Sequence, residues 1–184
     1  MTSPFTPDGR HLLVTTKHGA NTVDVFSVDG LGRLSAAPVV NAQPGAVPFA
    51  IAFDPAGHVE IAQAGTNAVA SFTLRADGTL EALASIPTGQ AATCWLIANG
   101  PLLFAGNAGS ATESILAAGP TGALTALGTA PTDAALSPDG RFLYVQTGEA
   151  GLVDAFRVDD GGTLTALGAV AVPDGAGGEG IAAS

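Results

Sequence analysis

A chain of 184 residues is long enough for one domain with a substantial core. Sixteen acidic residues against six basic ones give a formal charge of −10, which argues against a nucleic-acid partner, because phosphate recognition needs clustered Lys and Arg. The single cysteine, Cys94, excludes an internal disulfide and a cysteine-based zinc cage, and no apolar run reaches the ~18 residues of a membrane span.

The chain opens on MTSPFTPDGR, with no charged-then-apolar leader, so a cytoplasmic protein is expected. After the turn TPDG (6–9) comes NTVDVFSVDGLGRL (21–34), and this pattern returns without a gap as NAVASFTLRADGTL (67–80), ATESILAAGPTGAL (111–124) and GLVDAFRVDDGGTL (151–164). The starts at 21, 67, 111 and 151 are 46, 44 and 40 residues apart. Phe26, Phe72, Leu116 and Phe156 share one position of the repeat, and Leu34, Leu80, Leu124 and Leu164 another. Upstream of the later copies stand DPAG (54–57), ANG (98–100) and SPDG (137–140). Gly supplies the left-handed backbone and Pro presets φ in such turns, so each marks a hairpin.

Between the turns the apolar residues alternate with period two, as strands do. In the second copy the strands read PFAIAFD, HVEIAQA, AVASFTLR and LEALASI. Four antiparallel strands every ~40–45 residues is the period of a β-propeller blade. The fold class is therefore all-β, a propeller of four four-stranded antiparallel blades at about 5–47, 48–91, 92–131 and 132–178. The C-terminal EGIAAS (179–184) resembles the innermost-strand segments PFAIAFD and TDAALSP, and the chain begins just after the place for such a strand. Residues 179–184 are thus expected to close the first blade. A self-closed four-bladed monomer is favoured, with a homodimer forming one ring, or an arc of a larger propeller, as the other outcomes.

SPDGRFLYVQT followed by VDAFRVDDGGTLTALGAV resembles the blade signature of the seven-bladed β-propeller lactonase family, associated with 6-phosphogluconolactonase and carboxymuconate-cyclase-like proteins. All four repeats carry the resemblance, and they match the C-terminal part of such a propeller best. The resemblance implies hydrolysis of a lactone, with a small sugar-like lactone as ligand; a non-catalytic binding module or an inactive, truncated propeller is the alternative.

Successive connections in a blade alternate between two rims. First-to-second and third-to-fourth strand turns are alike from copy to copy and stand on one rim, the turn rim. Second-to-third turns and blade-to-blade loops differ and stand on the other, the variable rim, where a site is expected. There His18 can act as a base beside Lys17, its unperturbed pKa lying near neutrality. Asp133, Glu149 and Glu179 can supply a base, or hard ligands for Ca²⁺ or Mg²⁺. The assignment is His18, Glu149 and Asp133 as catalytic, with Lys17, Gln63, Gln90, Asn107, Gln146 and Glu179 contacting substrate. No motif requires a cofactor. Arg10, Arg33, Arg75, Arg141 and Arg157 all fall away from this rim, so a neutral or weakly acidic lactone suits it better than a phosphorylated one. His11 and His58 are expected as solvated strand ends, and Cys94-Trp95 as a buried packing pair. Glu113, where the other copies have Val23, Val69 and Val153, is expected at a frayed strand end.

Overall fold

The structure is a computed structural model that describes residues 5–17, 19–131, 134–147, 151–159 and 162–173. The described residues form strands and turns, with no helix long and apolar enough to cross a membrane. The alternating runs fold into consecutive antiparallel sheets. The first holds β1 (His11–Thr16), β2 (Thr22–Ser27) and β3 (Val39–Ala42). The second runs β4 (Pro48–Phe53), β5 (Val59–Gln63), β6 (Ala68–Leu74) and β7 (Leu80–Pro87). The third runs β8 (Thr93–Asn99), β9 (Leu102–Asn107), β10 (Thr112–Ala118) and β11 (Leu124–Pro131). The fourth runs β12 (Ala134–Leu136), β13 (Phe142–Thr147), β14 (Leu152–Val158) and β15 (Leu164–Ala171).

Among the described residues the first sheet holds three strands. Phe5, bridged to Leu12, stands where its innermost strand would end. The segment 179–184, expected to complete it, lies outside the described residues. The register repeats from sheet to sheet: a bulge between the third and fourth strands falls at Ser71/Phe72, Ile115/Leu116 and Ala155/Phe156.

The sheets pack face to face. Leu13, Val23 and Val25 of the first sheet meet Ile51, Val59, Ile61 and Phe72 of the second. Ala52, Ala62 and Val69 of the second meet Leu96, Leu103 and Leu116 of the third. Phe104 and Ile115 of the third meet Leu143 and Val145 of the fourth. Each fully buried Leu or Val contributes about 1.5–3 kcal/mol, so these layers hold the sheets together. Among the described residues no core cluster joins the fourth sheet to the first. Backbone polar groups are tied across the layers as well. Asn41 of β3 donates to Gly78 O at 3.0 Å and accepts from Leu80 N at 2.8 Å, and Asn99 of β8 donates to Gly140 O at 2.8 Å.

Candidate functional site

The two rims are built differently. Across the turn rim the left-handed residues are glycines, including Gly9, Gly32, Gly57, Gly78 and Gly140. On the variable rim the left-handed backbone also falls on Asn21 (φ 50), Val47 (φ 48), Asn67 (φ 50), Ala92 (φ 54) and Ala111 (φ 51). For a β-branched valine this conformation is a genuine outlier, and such strain gathers at binding sites. Asn67 holds its neighbour in place: its Oδ1 accepts from Ala92 N at 2.7 Å, and its backbone oxygen accepts from Thr88 N at 2.9 Å.

The residues singled out from the sequence for this rim are distributed as follows. Lys17 is exposed, its Nζ 3.3 Å above the centroid of the Phe49 ring on the neighbouring sheet. Gln63 ends β5, donating to Gln43 Oε1 at 3.3 Å and accepting from Thr66 Oγ1 at 3.2 Å. Gln90 and Asn107 are linked through Thr112, whose hydroxyl donates to Gln90 Oε1 at 3.0 Å and accepts from Asn107 Nδ2 at 3.2 Å. Asn107 also accepts from Thr93 Oγ1 at 2.6 Å and donates to Ser114 Oγ at 2.9 Å. It is fully buried, so it ties β8, β9 and β10 together and offers no surface to a ligand. Gln146 is buried on the face of β13 opposite Leu143 and Val145, away from the third sheet. His18, Asp133, Glu149 and Glu179 lie outside the described residues.

Three residues form an arrangement that sequence reasoning missed. Trp95 is 65% exposed, a correction to the buried Cys94-Trp95 pair. The cause is the register shift between Thr93 and Trp95 at the variable-rim end of β8, which breaks the alternation and turns the ring outward. β8 is the first strand of its sheet, and first strands are where the second and third sheets approach each other. Across from Trp95 stands Gly106, where a Cβ would lie 3.2 Å from Trp95 Cβ and 3.5 Å from Glu113 Oε2. The missing side chain at Gly106 leaves room for this approach. Glu113 is buried beneath, not frayed, so an exposed aromatic plane stands beside a carboxylate largely withdrawn from water. The sequence signal for Glu113 was its place among valines; nothing in the sequence announced the bulge that exposes Trp95.

Charge separates the rims further. Arg10 pairs with Asp8 at 3.8 Å, Arg33 with Asp29 at 2.7 Å, Arg157 with Asp159 at 2.9 Å and Arg75 with Glu81, while Arg141 lies 5.6 Å from the Phe142 ring. All of these stand at or beside the turn rim. Arg10, His11, Asp29 and Arg75 line a cleft of about 840 Å³ there, between the first two sheets. Hydrogen bonds from Thr6 and Ser137 hold Asp8 and Asp139 below the usual carboxylate range. Among the described residues, Lys17 is the cation of the variable rim.

A second polar group lies near the turn rim, on the face of the second sheet that meets the third. His58, expected to be solvated, has a side chain only 14% exposed because it folds back on the DPAG turn. Asp54 Oδ1 accepts from His58 N at 2.8 Å, and Asp54 Oδ2 lies 2.7 Å from His58 Nδ1. Glu60, on β5, is 0% exposed, and its Oε1 accepts from Ser71 Oγ at 2.9 Å. Burial pushes the Glu60 carboxyl up to about 7; the Ser71 hydrogen bond opposes this, and the Asp54 charge adds to it.

Comparison with known proteins gives the chain a family. The family described as Lactonase, 7-bladed beta-propeller matches residues 2–177. No curated protein matches the chain. Among solved structures, a 6-phosphogluconolactonase candidate from Bacteroides uniformis superposes with a TM-score of 0.76 at 21% identity, over 91% of this chain and 53% of its own. The periplasmic gluconolactonase of Pseudomonas aeruginosa gives 0.74 at 25% identity, over 91% and 53%. A protein from Lactobacillus plantarum gives 0.72 at 22% identity, over 88% and 54%. The chain spans about half the length of these solved structures.

Proposed function

We propose that this chain, which belongs to the seven-bladed β-propeller lactonase family, hydrolyses a neutral or weakly acidic sugar-type lactone at its variable rim. The observation that carries the reading is the pairing of Trp95 and Glu113 across Gly106. An exposed indole offers a flat surface to the C–H face of a sugar-like ring. A carboxylate beside it, in a low-dielectric setting, is suited to take a proton from water. Water then attacks the ring carbonyl, its proton passes to Glu113, the ring C–O bond breaks, and the departing oxygen takes the proton back. The product is the open hydroxy acid. The same reading gives acid–base roles to His18, Asp133 and Glu149, and places Lys17, over Phe49, as the contact for a weakly acidic group. With the arginines at the turn rim, a phosphorylated lactone lacks its usual guanidinium partners here.

Trp95 is the single tryptophan of the chain, so its emission reports directly on this place. Titration with aldonolactones, with and without a phosphate, should quench or shift that emission, tighter for the uncharged ligands. Hydrolysis above the spontaneous rate should fall about 10²–10⁴-fold in Glu113→Gln, while Trp95→Ala should weaken binding more than turnover. Full activity in both variants would move the site elsewhere. Binding without hydrolysis would favour the non-catalytic reading.

A further inference from the structure

The position of Glu60 in the repeat is occupied by Leu13 in the first sheet, Phe104 in the third and Tyr144 in the fourth, and its cross-strand partner Ser71 by Val25, Ile115 and Ala155. In the first and third sheets this is an apolar contact with the next sheet. In the second sheet a carboxylate has been placed in the layer instead, and one of its oxygens, Glu60 Oε2, is buried with no hydrogen-bond partner among the described residues. A buried, unpartnered carboxylate oxygen is costly unless something cationic meets it. Asp54, His58 and Glu60 each bring a ligand atom to within 4.8 Å of the others, and Glu60 belongs to this same group.

We propose that Asp54, His58 and Glu60 bind one zinc-like divalent ion between the second and third sheets. Two carboxylates and an imidazole make an oxygen–nitrogen donor set, which favours Zn²⁺ and its neighbours over the six to eight oxygens that Ca²⁺ gathers. The spread of the ligand atoms can contract to the bonds of about 2.0–2.2 Å that Zn²⁺ makes to N and O. Ser71, donating to Glu60 Oε1, orients that carboxylate and leaves Oε2 for the ion. The 14% of the His58 side chain that stays exposed gives the ion its way in. Of the two acids Asp54 is already engaged by His58, so the ion's main gain is with Glu60. The site joins the DPAG turn to β5, and its role is to fasten the innermost part of the second sheet.

The full chain, stripped with chelator and titrated with ZnCl₂ by calorimetry, should take up one ion. A hundredfold excess over the dissociation constant should raise the melting temperature by about 5–10 °C. Glu60→Leu restores the residue type of the other sheets and should fold, yet lose the uptake and the thermal shift. Glu60→Gln and His58→Ala should weaken binding at least about tenfold, and His11→Ala, in the adjacent turn-rim cleft, should not change it. No uptake by the wild-type chain would overturn the proposal. Uptake that survives Glu60→Leu and His58→Ala would do the same, by showing that the ion sits elsewhere. These outcomes are independent of lactone hydrolysis, which rests on the opposite rim.

Discussion

The layer between the first and second sheets and the layer between the second and third are built on one plan but filled differently. In the first, Leu13 and Val25 are buried against the second sheet, and the turn containing Gly78 lies over Val25, where a Cβ would meet Val39 Cγ2 at 3.0 Å and Val25 Cγ1 at 3.5 Å. In the second, Glu60 and Ser71 hold the same places, and the turn containing Gly122 lies over Ser71, where a Cβ would overlap Leu83 Cδ1 and meet Leu83 Cβ and Ser71 Oγ at 3.1 Å. The backbone does not distinguish the two, so it cannot have required the carboxylate. The scaffold accepts Leu at this position in one layer and Glu in the next, and the proposed ion gives the second choice a reason that the apolar layer lacks.

The sharpest way to break this comparison is to exchange the residues. Leu13→Glu places an unpaired carboxylate under Gly78 without Asp54, His58 or Ser71 to receive it, and should cost about 4 kcal/mol or more in urea unfolding. If it is tolerated, the layers are not equivalent and the comparison fails. Leu13→Ala should cost about 2–5 kcal/mol through the cavity it opens. Glu60→Leu in the presence of chelator should be neutral, or stabilise by up to about 2 kcal/mol, because an apolar residue replaces a desolvated acid.

A pH series sharpens the same contrast. Folding lifts the Glu60 carboxyl from 4.5 to about 7 through burial, so between these values the folded chain holds a proton that the unfolded chain has released. The associated stability is fully present below about pH 4.5 and is lost as pH rises through 7, up to about 3 kcal/mol in the metal-free chain. Glu60→Leu should remove that slope. Below pH 4 the sign reverses at the turns: Asp8, Asp29, Asp77, Asp139 and Asp159 have lowered folded pKa values, so protonating them removes stability. Melting temperature followed from pH 3 to 8, wild type beside Glu60→Leu, separates the two effects.

The covering turns come next in size. Gly78 (φ 86) and Gly122 (φ 77) are both left-handed, and alanine at either should cost about 1–3 kcal/mol, since the strain is shared whatever lies beneath. A markedly cheaper Gly122→Ala would mean that the third sheet rests more loosely on its neighbour. The smallest effect should come from Arg33→Ala, whose ion pair with Asp29 is exposed; unchanged melting is expected.

The repeat, its strands and the character of its turns were legible in the sequence because they rest on local rules. Alternation at period two writes strands, and Pro-Asp-Gly writes hairpins. PFAIAFD, HVEIAQA, AVASFTLR and LEALASI became β4 to β7 with little change at their ends. The segregation of arginines to one rim followed from counting turns. The anomaly of Glu113 was visible as well, as a charge in a column of valines. What the sequence could not carry was the direction in which a side chain leaves a bulge, or which residues from different strands meet. Trp95 faces solvent because one register shift in β8 cancels the alternation that would have buried it. His58 is drawn in because the DPAG turn returns it to Asp54, and Glu60, two residues further on in β5, is fully buried in the packed fold. Burial and desolvation belong to no single strand; they arise when two sheets pack, and that is where tertiary structure decided the chemistry of this protein.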